Sequence, residues 1–256
     1  MAGHNKWSKI KHRKAVVDKR RGKVWTKVAK AIIVAAKNGG PDPASNLSLR
    51  YAIDEARYAN MPRDTIERAI KKGTGAGAGE NYEPTRYEGY GPGGAAIIVD
   101  ALTDNRTRTV GDVRLVFTNH EGNLGNSGCV AYMFDSRGQI VVKAAGLTED
   151  RVLEIAIDAG AADVESPDDP SDDDAVFVIL TPVDGFQRVK DSLEHAGMTI
   201  TEARIAMIPQ NKVEVRGDAA KNLLELVDAL EDLDDVQNVY SSLELTDEAL
   251  AAMEAA

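Results

Sequence analysis

The chain has 256 residues, 43% of them apolar and 28% charged, which suits one large domain or two to three small soluble ones. A single cysteine, Cys129, excludes an internal disulfide and fits a reducing compartment. No run approaches the roughly 18 apolar residues of a membrane span, and the basic N-terminus lacks the apolar centre of a secretory signal.

The net charge of −10 conceals a strong segregation. The first 37 residues carry twelve Lys and Arg against one acid, Asp18. Residues 1–72 hold eighteen basic and six acidic side chains, a net +12, whereas the remaining 184 hold thirteen basic and thirty-five acidic, a net −22. A basic block on an acidic chain points to a polyanionic partner, of which nucleic acid is the commonest. Within that block, GHNKWSKIKHRK sets Trp7, His4 and His12 among cations. Planar side chains in that setting suit stacking on exposed bases, although Trp7 serves equally well as a core anchor. A transit peptide would also be basic, but Trp7, Trp25 and the lysine spacing read as folded structure, and the expected compartment is the cytosol.

Residues 23–37 read as a helix. Trp25, Val28, Ala29, Ile32, Ile33 and Ala36 share one face at about 100° per residue, with Lys23, Lys27, Lys30 and Lys37 on the other. Asn38, Gly39, Gly40 and Pro41 stop it. Ordinary solvated faces mix Glu with Lys, but Asp42 is the only acid between Lys19 and Ile53, so the lysine row is expected to be neutralised by phosphates. A second helix is expected over Asn46–Asn60 and a third from Pro62 to Lys72. Arg63, Arg68, Lys71 and Lys72 on the third permit a helix-turn-helix reading, but it is short of the Asn and Gln that read base edges. GTGAGAG, Gly73–Gly79, is a flexible linker by composition.

Beyond the linker the pattern changes. Tyr87–Gly94, YEGYGPGG, precedes a strand rather than following one, so it is read as a rigid turn displaying Tyr87, Glu88 and Tyr90 and not as a nucleotide fingerprint. Strands are expected at Ala95–Leu102 and Cys129–Phe134, with Cys129 packed as a small hydrophobe. Between them Asn105–Asn119 reads as a helix with Val110, Val113, Val116 and Phe117 inward. Thr103, Asp104 and Asn105 can cap it. Arg106 and Arg108 then stand at a helix N-terminus, where the dipole disfavours cations, which points to an anion at the same spot.

A self-contained unit follows: strand Gln139–Lys143, helix Thr148–Ala159, strands Ala162–Glu165 and Ala175–Leu180, helix Val183–Ala196 and strand Thr199–Ala206. The order βαββαβ is ferredoxin-like. The chain then offers strand Lys212–Val215, helix Asp218–Leu233, strand Val236–Leu245 and an acidic helix Thr246–Ala256. These are too few to stand alone and are expected to complete the sheet begun before the inserted unit. The expected fold is therefore α+β with three domains: a basic helical one with its linker (1–79), a discontinuous α/β one (80–135 and 207–256), and an inserted acidic ferredoxin-like one (136–206).

Signals for catalysis are poor. The four histidines, His4, His12, His120 and His195, lack metal spacing, and Asp168–Asp174 lacks the Gly and Glu of a calcium loop. No catalytic residue, metal or cofactor is expected. The nucleic-acid contacts expected are His4, Lys6, Trp7, Lys9, Lys11, Lys14, Arg20, Arg21, Lys23, Lys27, Lys30, Arg106 and Arg108.

Five ordered blocks carry a resemblance: AGHNKWSKIKHRK with the following RGK (Ala2–Lys23), NMPRDTIERAIKKG (Asn60–Gly73), YEGYGPGG (Tyr87–Gly94), TDNRTRT (Thr103–Thr109) and NLGNSGCVAYMF (Asn123–Phe134). Together they resemble the YebC/PmpR family. The resemblance implies the same three domains and a DNA-binding transcriptional regulator. It also implies a translational alternative, since relatives, a mitochondrial one among them, act in translation and bacterial ones are linked to the ribosome and proline-rich stalls, where rRNA or tRNA would be the partner.

Overall fold

The computed structural model describes residues 18–75, 81–167, 169–170 and 172–244, with side chains from residue 22 onward. It divides into two compact units, Ser136–Met207 and a larger one running from Gly22 to Asp135 and resuming at Ile208.

The larger unit opens with three helices, α1 (Asp18–Gly39), α2 (Leu47–Tyr58) and α3 (Arg63–Thr74). Asn46 makes the first corner. Its amide donates to the carbonyls of Ala35 (2.8 Å) and Gly40 (2.9 Å), while its oxygen accepts from the Leu49 amide at 3.1 Å. One buried side chain thus closes α1 and caps α2. Asn60, in the left-handed region at φ 54°, makes the second corner before Pro62. The core is aliphatic: Val28, Ile32, Ile33 and Ala36 of α1 meet Leu49, Ile53 and Ala56 of α2, and Ile66 and Ala69 of α3. Trp25 adds an indole N–H bond to the Ala59 carbonyl at 2.9 Å. Gly73, read from sequence as the first linker residue, instead ends α3 against α1. A Cβ there would stand 2.5 Å from the Ile33 carbonyl oxygen.

The rest of the unit is a four-stranded sheet of order β3-β1-β2-β9, built from β1 (Glu83–Tyr90), β2 (Ala96–Thr103), β3 (Asn123–Leu124) and β9 (Val236–Ser241). Strand β1 replaces the expected turn. It pairs antiparallel with β2 from Glu83↔Thr103 to Tyr90↔Ala96, and only the glycines beyond it turn, with Gly93 at φ 70° and Gly94 at φ 78°. Glu88 is buried, not displayed. Helices α4 (Arg106–Asn119) and α7 (Gly217–Glu231) pack beside each other through Phe117, Leu223 and Leu226, which close over Gly89, Gly91 and Gly122. Of the four apolar residues expected inward in α4, Val113 and Phe117 are fully buried and Val110 and Val116 half-buried.

The strand expected at Cys129–Phe134 does not form. Backbone N–H groups of Gly128 (2.8 Å), Val130 (2.9 Å) and Ala131 (2.8 Å) all donate to the Glu88 carboxylate, which curls the chain into a turn and a 3-10 segment, Ala131–Met133. Cys129 lies in that turn, partly exposed. Burial alone would raise the Glu88 pKa, but the three amide bonds outweigh it and hold the carboxyl low. The expected strand Val236–Leu245 is likewise broken at Ser242. Its Oγ accepts from the Ala96 amide at 2.9 Å and its carbonyl from the Val213 amide at 2.7 Å. Beyond it β10 (Leu243–Glu244) pairs in parallel with β8 (Val213–Glu214). The helix expected at Thr246–Ala256 lies outside the described residues.

The second unit contains β4 (Phe134–Lys143), α5 (Glu149–Asp158), β5 (Asp163–Glu165), β6 (Val176–Thr181), α6 (Phe186–His195) and β7 (Ile200–Pro209), its first and last strands running two residues past its bounds. Its strand order, β5-β6-β4-β7, is that of a ferredoxin-like sheet. Strand β6 is antiparallel to both neighbours.

Substitutions at two helical glycines should separate packing from propensity. Gly73→Ala is expected to lose about 1–3 kcal/mol of stability through overpacking against Ile33. Gly22→Ala, with nothing within 4 Å, should gain up to about 1 kcal/mol. Urea unfolding of the two variants beside the parent checks both.

Candidate nucleic-acid interface

Lys23, Lys27 and Lys30 lie at i, i+4 and i+7 on the face of α1 turned away from its apolar core. That row meets the C-terminal end of α7, which presents the carbonyls a helix leaves unpaired and the negative end of its dipole. Lys27 donates to the Glu231 carbonyl. Lys23 reaches the carbonyl and one carboxylate oxygen of Asp232, each at 3.3 Å. Lys30 donates to the Asp234 carbonyl at 2.9 Å and the Asp235 carboxylate at 3.0 Å, with its ammonium 5.2 Å from the centre of the Tyr82 ring. The counter-charge expected from phosphates is thus present within the chain, about 200 residues further on.

Asp235 is the hub of this corner. Beside Lys30 on one oxygen, its other oxygen accepts from Arg108 Nη2 at 2.6 Å, Thr109 Oγ1 at 2.8 Å and Thr103 Oγ1 at 3.3 Å. Its own carbonyl accepts from the Leu102 amide at 2.8 Å. Burial of the Asp235 carboxyl would raise its pKa, but hydrogen bonds from Arg108, Lys30 and Thr109 outweigh that and bring it to about 2. The Arg108 pKa is raised by its bonds to Asp235 and Asp104.

The α4 N-terminus is capped by Asn105, whose Oδ1 accepts from the Arg108 amide at 3.1 Å. The anion expected beside Arg106 and Arg108 is here a set of carboxylates. Arg106 bridges to Glu83 at 3.0 Å, while Arg108 bridges to Asp104 at 2.8 Å as well as to Asp235. Between the helices and the sheet a cleft of about 620 Å³ is lined by Lys23, Lys30, Tyr82, Arg108, Asp112 and Asp232 among others. Of the other expected contacts, His4, Lys6, Trp7, Lys9, Lys11 and Lys14 lie outside the described residues, as do the side chains of Arg20 and Arg21.

Sequence reasoning reached the cations and not their partners. Asp235, Thr103 and Thr109 gave no signal in that role, because nothing local ties an acidic run at the end of α7 to a lysine face on α1. Among the described residues no group of three or more His, Cys, Asp or Glu is arranged to hold a metal ion, and no helix is long and apolar enough to cross a membrane.

The division into a helical part and α/β parts has its counterpart in two family models that together span most of the chain. Residues 5–76 match the family described as TACO1/YebC protein N-terminal domain, and residues 82–243 that described as TACO1/YebC second and third domain. The chain belongs to the TACO1/YebC family. It is 50% identical to a probable transcriptional regulatory protein of Geobacter sp. strain M21 over 253 residues, covering 99% of this chain and all of that one. A protein of the same description from Geotalea uraniireducens is 51% identical over the same span. The crystal structure of a conserved hypothetical protein from Aquifex aeolicus superposes with a TM-score of 0.83 at 46% identity, covering 91% of this chain and 94% of that one.

The Asp235 carboxyl sits below its ordinary value near 3.8, so its contribution to stability is complete above about pH 4 and drains away as pH falls towards 2. Asp235→Asn should lower stability at pH 7 by about 2–4 kcal/mol, because it leaves Lys30 and Arg108 facing a neutral group. It should also flatten the acid limb between pH 4 and pH 2 in urea titrations followed by circular dichroism.

Proposed function

We propose that the protein is a non-enzymatic, nucleic-acid-binding regulator of gene expression that grips the phosphate backbone through its basic N-terminal region, in the first instance as a DNA-binding transcriptional regulator. The observation that carries this reading is the charge segregation: a net +12 in residues 1–72 beside −22 in the rest. The acidic remainder repels polyanions and so favours approach through that end alone. The names of the relatives agree with the transcriptional reading.

The contacts fall into three groups. His4, Lys6, Trp7, Lys9, Lys11 and Lys14 make a basic arm in the sequence, and Arg20 and Arg21 follow at the start of α1. Lys23, Lys27 and Lys30 extend it along α1. Arg106 stands at the rim, where its exposed bridge to Glu83 contributes little and leaves it available. Arg108 is different: its bonds to Asp104 and Asp235 give it a structural task. The exposed residues of α3 include Arg63, Arg68, Lys71 and Lys72 but no Asn or Gln, which favours backbone contact over base readout. One observation favours the second reading, a translation factor on ribosomal RNA: Trp7, His4 and His12 interleave with the cations of the arm.

With about six to ten phosphate contacts, affinity for nucleic acid should fall roughly 10³–10⁵-fold between 50 and 200 mM salt, and removal of residues 1–17 should abolish most of it. Fluorescence anisotropy measures both, and a flat salt response would overturn the reading. Retention on one promoter over random DNA at matched salt supports transcription. Comigration with ribosomes through a sucrose gradient after DNase treatment supports translation instead.

A further inference from the structure

The lysine row has two occupants to choose between. We infer that the acidic corner 231–235 is an internal competitor for the nucleic-acid site. It holds Lys23, Lys27 and Lys30 when the protein is free and is displaced from them by a phosphodiester backbone. The inference rests on the proposed function and adds a closed and an open state to it.

Three features of the corner support this. The helical part has a core of its own, drawn wholly from residues 25–70, so its folding does not depend on staying docked. The contacts that dock its lysine row are polar: three ammonium groups against the carbonyls of Glu231, Asp232 and Asp234 and the carboxylates of Asp232 and Asp235. Contacts of that kind are what phosphates offer in exchange. The spacing also fits, for Lys23 to Lys30 spans about 10 Å of helix, which matches about three phosphates at 3.4 Å of axis per strand.

The contact is graded along the row. The Lys23–Asp232 pair is open to solvent, with side chains 43% and 62% exposed, and such pairs are weak and screened by salt. The Lys30–Asp235 pair is firm, with side chains 12% and 11% exposed. Release therefore starts at Lys23, and Lys30 yields last. Linkage requires the converse: whatever loosens the corner tightens nucleic-acid binding, by at most the factor by which it weakens the closed state.

Asp232→Asn tests this against Glu225→Gln, an equal loss of charge on the exposed side of α7 and away from the lysine row. Asp232→Asn should bind a 30-nucleotide random RNA, or a duplex DNA of equal length, about two- to five-fold more tightly than Glu225→Gln at 100 mM salt. Parallel RNA and DNA titrations show which backbone is preferred. In the unaltered protein, carbodiimide should join Lys23 Nζ to the Asp232 carboxyl as an amide with loss of water. Peptide mass spectrometry should find that link reduced at saturating oligonucleotide. Equal affinities of the two variants, or an undiminished link at saturation, overturns the inference while leaving nucleic-acid binding intact. An unaltered protein that links normally yet binds neither oligonucleotide at 50 mM salt overturns the proposed function and this inference with it.

Discussion

One carboxylate organises the larger unit. Asp235 stands where β9 begins, and its two oxygens and its carbonyl bring together α1 through Lys30, β2 through Thr103 and Leu102, and α4 through Arg108 and Thr109. Burying an isolated carboxylate costs far more than a small unit can afford, so its partners must arrive as a set. Each partner is also placed by an independent local device. Asn105 caps α4 so that Thr109 and Arg108 come round to the carboxylate, and the full-length pairing of β1 with β2 delivers Thr103 to the same place. The helical part meets this corner with lysines rather than apolar side chains, so its position is set by charge while its core is set by packing.

The same logic explains what the amino-acid order could and could not reveal. The helices are legible because Val28, Ile32 and Ile33 repeat at the period of a helix, and Asn46 and Pro62 punctuate it. The ferredoxin-like order is legible because its strands alternate with helices at ordinary lengths. Strand β1 is hidden because Gly89 and Gly91 look like turn residues. Their actual task is to let Phe117, Leu223 and Leu226 approach the backbone, since a Cβ on Gly89 would stand 2.8 Å from the Phe117 ring. The turn at Cys129 is hidden for another reason. The force that bends it is the Glu88 carboxylate, forty residues earlier in the chain.

The candidate interface shows the limit most sharply. A row of lysines without neighbouring acids reads as a row that needs negative charge. The sequence neighbourhood is the wrong place to seek it, because helix ends and carboxylates from distant elements supply it equally well. On the proposed reading, nucleic-acid binding is therefore a competition. Phosphates must outbid three carbonyls and two carboxylates already in place.

That long separation has a consequence during synthesis. The helical part closes its core within the first 75 residues, from contacts between neighbouring helices, and such local topology folds quickly. Its lysines then await a partner that lies about 160 residues beyond the end of that part, a delay on the order of 10–30 s at ordinary elongation rates. Throughout that interval the nascent chain displays its folded lysine face without the carbonyls and carboxylates of residues 231–235, while still tethered to a particle made largely of RNA.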